Sequence, residues 1–166
     1  MDELERLAAE VGAALKARGE TVAVAESSSG GLVSAALLSV PGASSYFLGG
    51  AVVYTPKARV MLLDIPRSAL DGMRSASEPY AALLARTVRD RFGATWGLAE
   101  TGAAGPAGNG YGDAPGHTCI AVSGPADAVL TIQTGADDRS ANMRAFAAAL
   151  LNLLHDHCPS PTPRAP

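Results

Sequence analysis

Residues 21–38 read TVAVAESSSGGLVSAALL, and this stretch does most to define the fold. The apolar, β-branched run Thr21–Ala25 is typical of a buried strand. The sequence ESSSGG at 26–31 interrupts that pattern, and Leu32–Leu38 is typical of a helix. A strand, a glycine-containing turn and a helix in direct succession indicate an α/β fold.

The rest of the chain continues this alternation of helices and strands. Helical patterns or helix start signals occur at Asp2–Arg18, Lys57–Leu63, Ser77–Phe92 and Ala141–Leu154. Strand-like runs occur at Tyr46–Tyr54, Trp96–Glu100, Thr118–Ser123 and Val129–Gln133. The alternation predicts a three-layer α/β/α sandwich, and the two consecutive strands near the end indicate a mixed, mostly parallel sheet.

Length and segmentation favour one domain. The chain has 166 residues with no internal repeat and no linker-like stretch, so we expect a single domain at 1–158. Residues 159–166 are rich in proline, and we expect them to form a disordered tail. Cys119 lies in an apolar run and Cys158 beside that tail; their spacing fits neither a metal site nor a disulfide framework, so we expect two reduced thiols.

The net charge and the hydropathy of the chain argue against some classes of binding partner. The formal net charge of −3 argues against nucleic-acid binding, which normally requires a basic face. No apolar run approaches the ~20 residues of a membrane span, and the N-terminus is acidic where a secretory signal is basic. We therefore expect a cytoplasmic protein without nucleic-acid or membrane partners. The low charged fraction of 17% leaves assembly into a homo-oligomer open.

Two glycine-bearing loops are the candidate site. The loops at 26–31 and 101–116 each follow a predicted strand, and ligands in α/β sheets bind beyond the carboxyl ends of strands. A serine on the first turn could act as a nucleophile beside free N–H groups of the next helix. The same serines could instead only cap that helix. No dinucleotide-binding glycine fingerprint and no Walker A motif is present.

Four short motifs, in order, resemble the CinA carboxy-terminal domain family from about Leu4 to Leu154. The family has E-S-C-T-G-G after its first strand, and this chain has ESSSGG at 26–31. VPGAS at 40–44, FLGGAVVY at 47–54 and TGAAGP at 101–106 match the later motifs. The resemblance implies an α/β/α fold and hydrolysis of nicotinamide mononucleotide to nicotinic acid mononucleotide and ammonia, without a metal or other cofactor.

The resemblance also implies roles for particular residues. Ser27 stands at the position of the nucleophile, Tyr54 at that of its hydroxyl partner, and Arg59 at that of a lysine that acts with the serine. Arg139 matches an arginine ahead of the last helix; it could meet a phosphate, or it could simply be a surface residue. The implied substrate-binding residues are Gly30, Gly31, Thr101, Gly102, Gly105 and Arg139.

Arg59 is the main departure from the family pattern. A desolvated lysine can take the serine proton, whereas arginine does not give up its proton in a protein. Lys57 is two residues away and should point to another side of the same helix. Arg59 could instead favour the phenolate form of Tyr54, or it could hold the substrate phosphate. His117 is an alternative base, although a lone histidine at a strand start is more often structural.

The remaining polar residues of the two loops allow structural or functional interpretations. Ser28 and Ser29 are expected to be structural, because hydroxyls at a helix start satisfy free backbone N–H groups. Glu26 and Glu100 end two strands and could bind a cation or an amine, but no third metal ligand accompanies them. Tyr111 and Asp113 could form a lid or simply an exposed loop tip.

Three functions follow from these observations. The first is hydrolysis of nicotinamide mononucleotide by Ser27, and the second is hydrolysis of another small amide or ester with a different base. The third is a non-catalytic nucleotide-binding or assembly module that has kept the pocket without the base. Arg59 argues against the family's usual lysine-based proton transfer and is compatible with the other two functions.

Overall fold

A computed structural model describes residues 2–163 and 165–166. Met1, the first residue of the predicted domain, and Arg164, within the predicted tail, lie outside the described residues. The chain forms five helices, α1 to α5, at Glu3–Arg18, Leu32–Leu38, Pro56–Leu63, Glu78–Phe92 and Arg139–His157. Five strands, β1 to β5, lie at Val22–Glu26, Phe47–Val52, Trp96–Ala103, His117–Ser123 and Ala128–Gln133. Short 3-10 helices occupy Ala43–Ser45 and Arg67–Leu70.

The strands form one mixed sheet in the order β2-β1-β3-β4-β5. Strand β1 is parallel to both β2 and β3, whereas β4 is antiparallel to β3 and to β5. Four of the five strands therefore run in one direction, and only β4 runs in the other. The predicted α/β/α fold is confirmed.

The two faces of the sheet are covered by different helices and different side chains. Helices α1, α2 and α5 pack over large residues such as Trp96, Leu98 and Ile120. Helix α4 and the end of α3 pack over a row of small residues that includes Ala99 and Ala121. The β3 residue Gly97 lies against the α4 backbone at Ala85, so the absence of a side chain there lets α4 approach closely. The small residues on this face thus allow a short distance between the sheet and helix α4.

Helix ends match the sequence signals where those signals are local. The Asp2 side chain accepts from the Glu5 N–H in a capping box, and Thr55 caps α3 ahead of Pro56. Helix α5 begins at Arg139, before the predicted Ala141, because the Asp138 carboxylate accepts from the Ala141 N–H. Each helix within the described residues is too short or too polar to cross a membrane.

Two elements continue past their expected ends. Strand β3 continues to Ala103, into the predicted loop, because its last residues pair with β4. Helix α5 continues to His157, beyond the expected Leu154, and Cys158 follows it, buried in the core. Its thiol lies 3.5 Å from Glu20 Oε2, and burial raises the pKa of Cys158 to about 11. Both cysteines are free thiols, as expected.

Candidate active site

The turn between β1 and α2 is built around the buried carboxylate of Glu26. Helix α2 begins after Gly31, which has no side chain to cap it. Glu26 supplies the cap instead, because its oxygens accept from the N–H groups of Gly31, Val33 and Ser34 at 2.9–3.1 Å. The hydroxyls of Ser29 and Ser34 donate to the same carboxylate. Glu26 therefore fixes the start of the helix rather than binding a cation or an amine.

A second buried carboxylate, Glu100, holds the turn from the neighbouring strand β3. One oxygen accepts from the N–H groups of Ser27 and Ser29 at 3.1 and 2.8 Å. The other accepts from the hydroxyls of Ser28 and Thr118. Four donors balance this charge, and no cationic side chain of the described residues lies within 4.0 Å. Glu100 thus locks the conformation of residues 27–29.

Only one of the three consecutive serines keeps a free hydroxyl. Ser28 and Ser29 are buried and donate to Glu100 and Glu26. Their hydroxyls donate to these carboxylates and, contrary to the expectation from the sequence, do not accept from backbone N–H groups. The hydroxyl of Ser27 makes no hydrogen bond to any described residue, and Ser27 is half-buried at the wall of a cavity. Among these serines, Ser27 alone can present its oxygen to a ligand.

A cavity of about 280 Å³ brings together five of the predicted site residues. Ser27, Tyr54, Arg59, Thr101 and Gly102 all line it, together with Val53, Thr55, Pro56, Ser75, Ala76, Tyr80, Asn109 and Tyr111. We call this space the Ser27 cavity. None of these lining residues is a lysine, histidine, aspartate or glutamate.

The other four predicted site residues lie outside the lining. Gly30 and Gly31 form the helix start with positive φ, and Gly105 is buried against Asp137. Their positive φ angles account for glycine at Gly30, Gly31 and Gly105. Arg139 reaches the site indirectly, because its Nη2 donates to the Tyr54 hydroxyl at 3.1 Å and its Nη1 to the Gly105 carbonyl at 2.6 Å.

Arg59 is buried with a relative exposure of 5%. Its Nε donates to the Ile65 carbonyl at 3.0 Å, and within the described residues it has no carboxylate partner. Lys57 is exposed and does not line the Ser27 cavity, in agreement with the expectation that it points elsewhere.

His117 has a structural role. Gln133 Nε2 donates to Nδ1 of His117 at 2.7 Å, which leaves Nε2 as the protonated nitrogen. That Nε2 lies 2.8 Å from the Ala76 carbonyl and donates to it. Because both ring nitrogens are engaged and His117 does not line the Ser27 cavity, the geometry does not support it as the base for Ser27.

The segment around Ala76 forms a wall of the site that was not expected from the sequence. Ala76 adopts a positive φ of 54°, which is uncommon for a residue with a side chain. Its N–H donates to the Thr101 hydroxyl at 3.0 Å, and its carbonyl accepts from His117. Thr101 thus orders the wall of the cavity as well as lining it. No local motif announces these contacts, because all of them join distant parts of the chain.

Arg74 forms an ion pair that holds the loop after β3 at the wall of the Ser27 cavity. Its guanidinium donates to both oxygens of Asp113 at 2.7 and 3.1 Å, and it lies 5.0 Å from the centre of the Tyr111 ring. The Arg74 guanidinium holds the pKa of the Asp113 carboxyl below its ordinary value. Asn109 also donates to Asp113, so Asn109 and Tyr111 are held at the cavity wall. Of the two residues considered for a lid, Tyr111 lines the cavity and Asp113 anchors the loop.

No group of three or more histidines, cysteines, aspartates or glutamates that could hold a metal ion occurs among residues 2–163 and 165–166.

Comparisons with known proteins agree on one family. The family model described as "CinA C-terminal domain" matches residues 4–158. A CinA-like protein of Chlorobium limicola is 40% identical over 147 residues, which cover 85% of this chain and 34% of that protein. A CinA-like protein of Anaeromyxobacter sp. (strain K) is 40% identical over 153 residues, covering 92% and 37%. The chain therefore spans about a third of the length of these relatives.

Solved structures share the fold. The competence/damage inducible protein CihA of Agrobacterium tumefaciens superposes with a TM-score of 0.84 at 27% identity, covering 94% of this chain and 96% of that one. A CinA superfamily protein of Klebsiella pneumoniae 700603 gives a TM-score of 0.87 at 23% identity, covering 93% and 97%, and this match supports the fold alone.

Proposed function

Because the chain belongs to the CinA C-terminal domain family, as its motifs predicted, we propose that it hydrolyses the carboxamide of nicotinamide mononucleotide with Ser27 as the nucleophile. One observation carries this proposal. Of the three serines in the turn, only Ser27 has a free hydroxyl, and that residue faces a cavity shared with Tyr54 and Arg59. The choice of substrate rests on the resemblance of the four motifs.

The proposed reaction proceeds in two steps. Ser27 Oγ attacks the carboxamide carbon, its proton passes to a base, and the C–N bond of the tetrahedral intermediate breaks. The proton returns to the nitrogen, which leaves as ammonia, and an ester joins Ser27 to the nucleotide. Water then cleaves this ester, so that nicotinamide mononucleotide and water give nicotinic acid mononucleotide and ammonia.

Tyr54 is the best-placed proton carrier. The residues lining the Ser27 cavity include no lysine, imidazole or carboxylate, and Arg59 cannot act as a base. Tyr54 lines the same cavity as Ser27, and its oxygen accepts a hydrogen bond from Arg139 at 3.1 Å. A guanidinium donor at this oxygen stabilises the negative charge that develops there during proton transfer. Arg139 therefore acts in this mechanism through Tyr54.

The same cavity lining supports one competing function. A site without lysine, histidine or carboxylate could bind a pyridine nucleotide without hydrolysing it. Such a module would keep the affinity and lack the ammonia release. A hydrolase with another small amide as its substrate would release ammonia from that amide and not from nicotinamide mononucleotide.

Ammonia release from nicotinamide mononucleotide by the purified chain tests the proposal. We expect multiple turnovers in the wild type and none above background in Ser27→Ala. The matched control is Ser44→Ala, which removes an exposed serine hydroxyl outside the cavity and should keep full activity. Equal ammonia release by wild type and Ser27→Ala would exclude Ser27 as the nucleophile. Binding without ammonia release would favour the non-catalytic module.

A further inference from the structure

A second cavity, of about 560 Å³, adjoins the Ser27 cavity. The two spaces share Pro56, Arg59, Ser75 and Tyr111 as lining residues. We call the second space the outer cavity. Its other walls come from the exposed side of α3 and the segment after it, and they are Lys57, Val60, Arg67, Leu70, Met73 and Arg74. A ligand in the Ser27 cavity could therefore extend past Arg59 into the outer cavity.

The outer cavity concentrates positive charge in a chain whose net charge is −3. Its lining residues include Lys57, Arg59, Arg67 and Arg74, and none of its lining residues is an aspartate or glutamate. Arg74 is balanced by Asp113. Lys57 and Arg67 are exposed and form no ion pair with the described residues. Three of the four cations are therefore available to a ligand.

Arg59 provides the second, independent observation. Arg59 is 5% exposed, and only its Nε has a hydrogen-bond acceptor among the described residues. No fully buried side-chain nitrogen in the described chain lacks a partner, so the two Nη groups of Arg59 must face the open space of the cavities. A buried guanidinium that keeps its charge and has no carboxylate beside it is suited to pair with an anion.

We propose that the outer cavity binds the phosphate group of the nucleotide whose carboxamide lies at Ser27. The phosphate oxygens pair with the Arg59 guanidinium at the junction of the two cavities, and Lys57 and Arg67 add charge from the outer wall. This inference rests on the proposed substrate class and assigns Arg59 to binding rather than to proton transfer.

Titration calorimetry tests whether the outer cavity binds phosphate. The protein used is Ser27→Ala, because it allows ligands to be compared without turnover. The probes are nicotinamide mononucleotide, nicotinamide riboside, which lacks the phosphate, and inorganic phosphate. We expect the mononucleotide to bind at least about tenfold more tightly than the riboside. Inorganic phosphate should compete with the mononucleotide but not with the riboside, because the proposed anion position is the one that the substrate's own phosphate occupies.

The decisive variant is the double substitution Lys57→Ala and Arg67→Ala, which removes two exposed cations and leaves the core intact. It should reduce the preference for mononucleotide over riboside by about tenfold. Arg86→Ala, an exposed arginine at a different cavity, is the matched control and should keep the preference. Equal affinity for mononucleotide and riboside in the parent, a preference that the double substitution leaves unchanged, or no binding of any probe would overturn the proposal.

The two proposals fail in different ways. Ammonia release that shows no dependence on the phosphate or on Lys57 and Arg67 would leave the hydrolase and remove the phosphate site. Phosphate-dependent binding without ammonia release in the wild type would leave the phosphate site and remove the hydrolase.

Discussion

Two charged regions flank the Ser27 turn, and they differ in how their charges are balanced. On one side, the buried carboxylate of Glu26 accepts five hydrogen bonds and that of Glu100 accepts four. On the other side, the buried guanidinium of Arg59 donates one, to the Ile65 carbonyl. The carboxylates have no free capacity for a ligand, whereas Arg59 does.

This difference separates a scaffold from a binding surface. Glu26 and Glu100 direct the backbone of the turn so that Ser27 faces the cavity while Ser28 and Ser29 face inward. Arg59 and Tyr54 line the same cavity as Ser27, and Arg139 donates to the Tyr54 hydroxyl from outside the lining. We therefore expect substitutions on the carboxylate side to lower stability first, and substitutions on the cationic side to lower activity or binding at nearly unchanged stability.

The largest expected effect is on catalysis and comes from Tyr54→Phe. Loss of the proposed proton carrier should lower kcat/KM for nicotinamide mononucleotide by about 10²–10⁴-fold. The free energy of unfolding should change by less than about 0.5 kcal/mol, because the Tyr54 side chain is exposed. Steady-state ammonia release and urea unfolding measure the two quantities. Full activity in Tyr54→Phe would exclude this proton route.

Arg59→Lys is the companion to that experiment. If Arg59 binds phosphate and Tyr54 carries the proton, the lysine variant should have a higher KM and a lower kcat/KM, because lysine lacks the planar fork. If the site instead lacks a base, the introduced lysine should raise the activity. A rise in kcat/KM would thus show that the wild-type arginine impairs the site.

The next largest effect is on stability and comes from Glu100→Gln. The amide NH₂ cannot accept the hydrogen bonds that one carboxylate oxygen accepts, and the four donors would lose their charged partner. We expect the free energy of unfolding to fall by about 2–4 kcal/mol. Glu10→Gln, at an exposed glutamate, should change it by less than about 0.5 kcal/mol. Equal stability of the two variants would mean that Glu100 does not hold the turn.

A smaller loss of stability should follow Ser29→Ala. The substitution removes the hydrogen bond of a buried hydroxyl to Glu26, and we expect it to lower the free energy of unfolding by about 1–2 kcal/mol. The fraction that remains folded should keep its kcat. The opposite pattern, lost activity at unchanged stability, would assign Ser29 to the chemistry; among the three serines of the turn, we expect it only for Ser27→Ala.

The smallest effect concerns the anchor of the loop after β3. Asp113 faces Arg74, Asn109 and His117, and Arg74 lowers its pKa, so the folded state favours the carboxylate. The stabilisation is therefore present above the ordinary value of 3.8 and is lost as the pH falls through the lowered folded pKa. Asp113→Asn should cost about 1 kcal/mol or less at neutral pH, because Arg74 is partly exposed.

Unfolding at neutral and acidic pH measures this effect. The difference between wild type and Asp113→Asn should shrink in acid as wild-type Asp113 becomes protonated. A difference that grows as the pH falls would contradict the assigned sign. Asp127→Asn, at an exposed aspartate outside the loop, is the control.

Much of the fold could be predicted because its signals are local. The β1–turn–α2 unit and the Thr55-Pro56 helix start depend on residues close together in the chain. The extension of β3 to Ala103 depends on pairing with β4, which is distant in the chain from the predicted end of β3, so the local pattern missed it.

The site shows the same division. The motifs singled out Ser27, Tyr54 and Arg59, which line one cavity. The part played by Glu100 could not be predicted, because a carboxylate at a strand end looks the same whether it binds a ligand or accepts from a turn more than 70 residues away. The Arg74–Asp113 pair joins two loops whose approach depends on the complete sheet.

The central claim is that Ser27 forms a covalent ester intermediate. The most direct test is to trap this proposed ester with hydroxylamine. Hydroxylamine added during turnover competes with water for an ester at Ser27, and the product is then the hydroxamate of nicotinic acid mononucleotide. We predict that mass spectrometry detects this hydroxamate with wild-type protein and Ser44→Ala, and not with Ser27→Ala. Ammonia release without any hydroxamate, or equal hydroxamate formation by Ser27→Ala, would contradict the account.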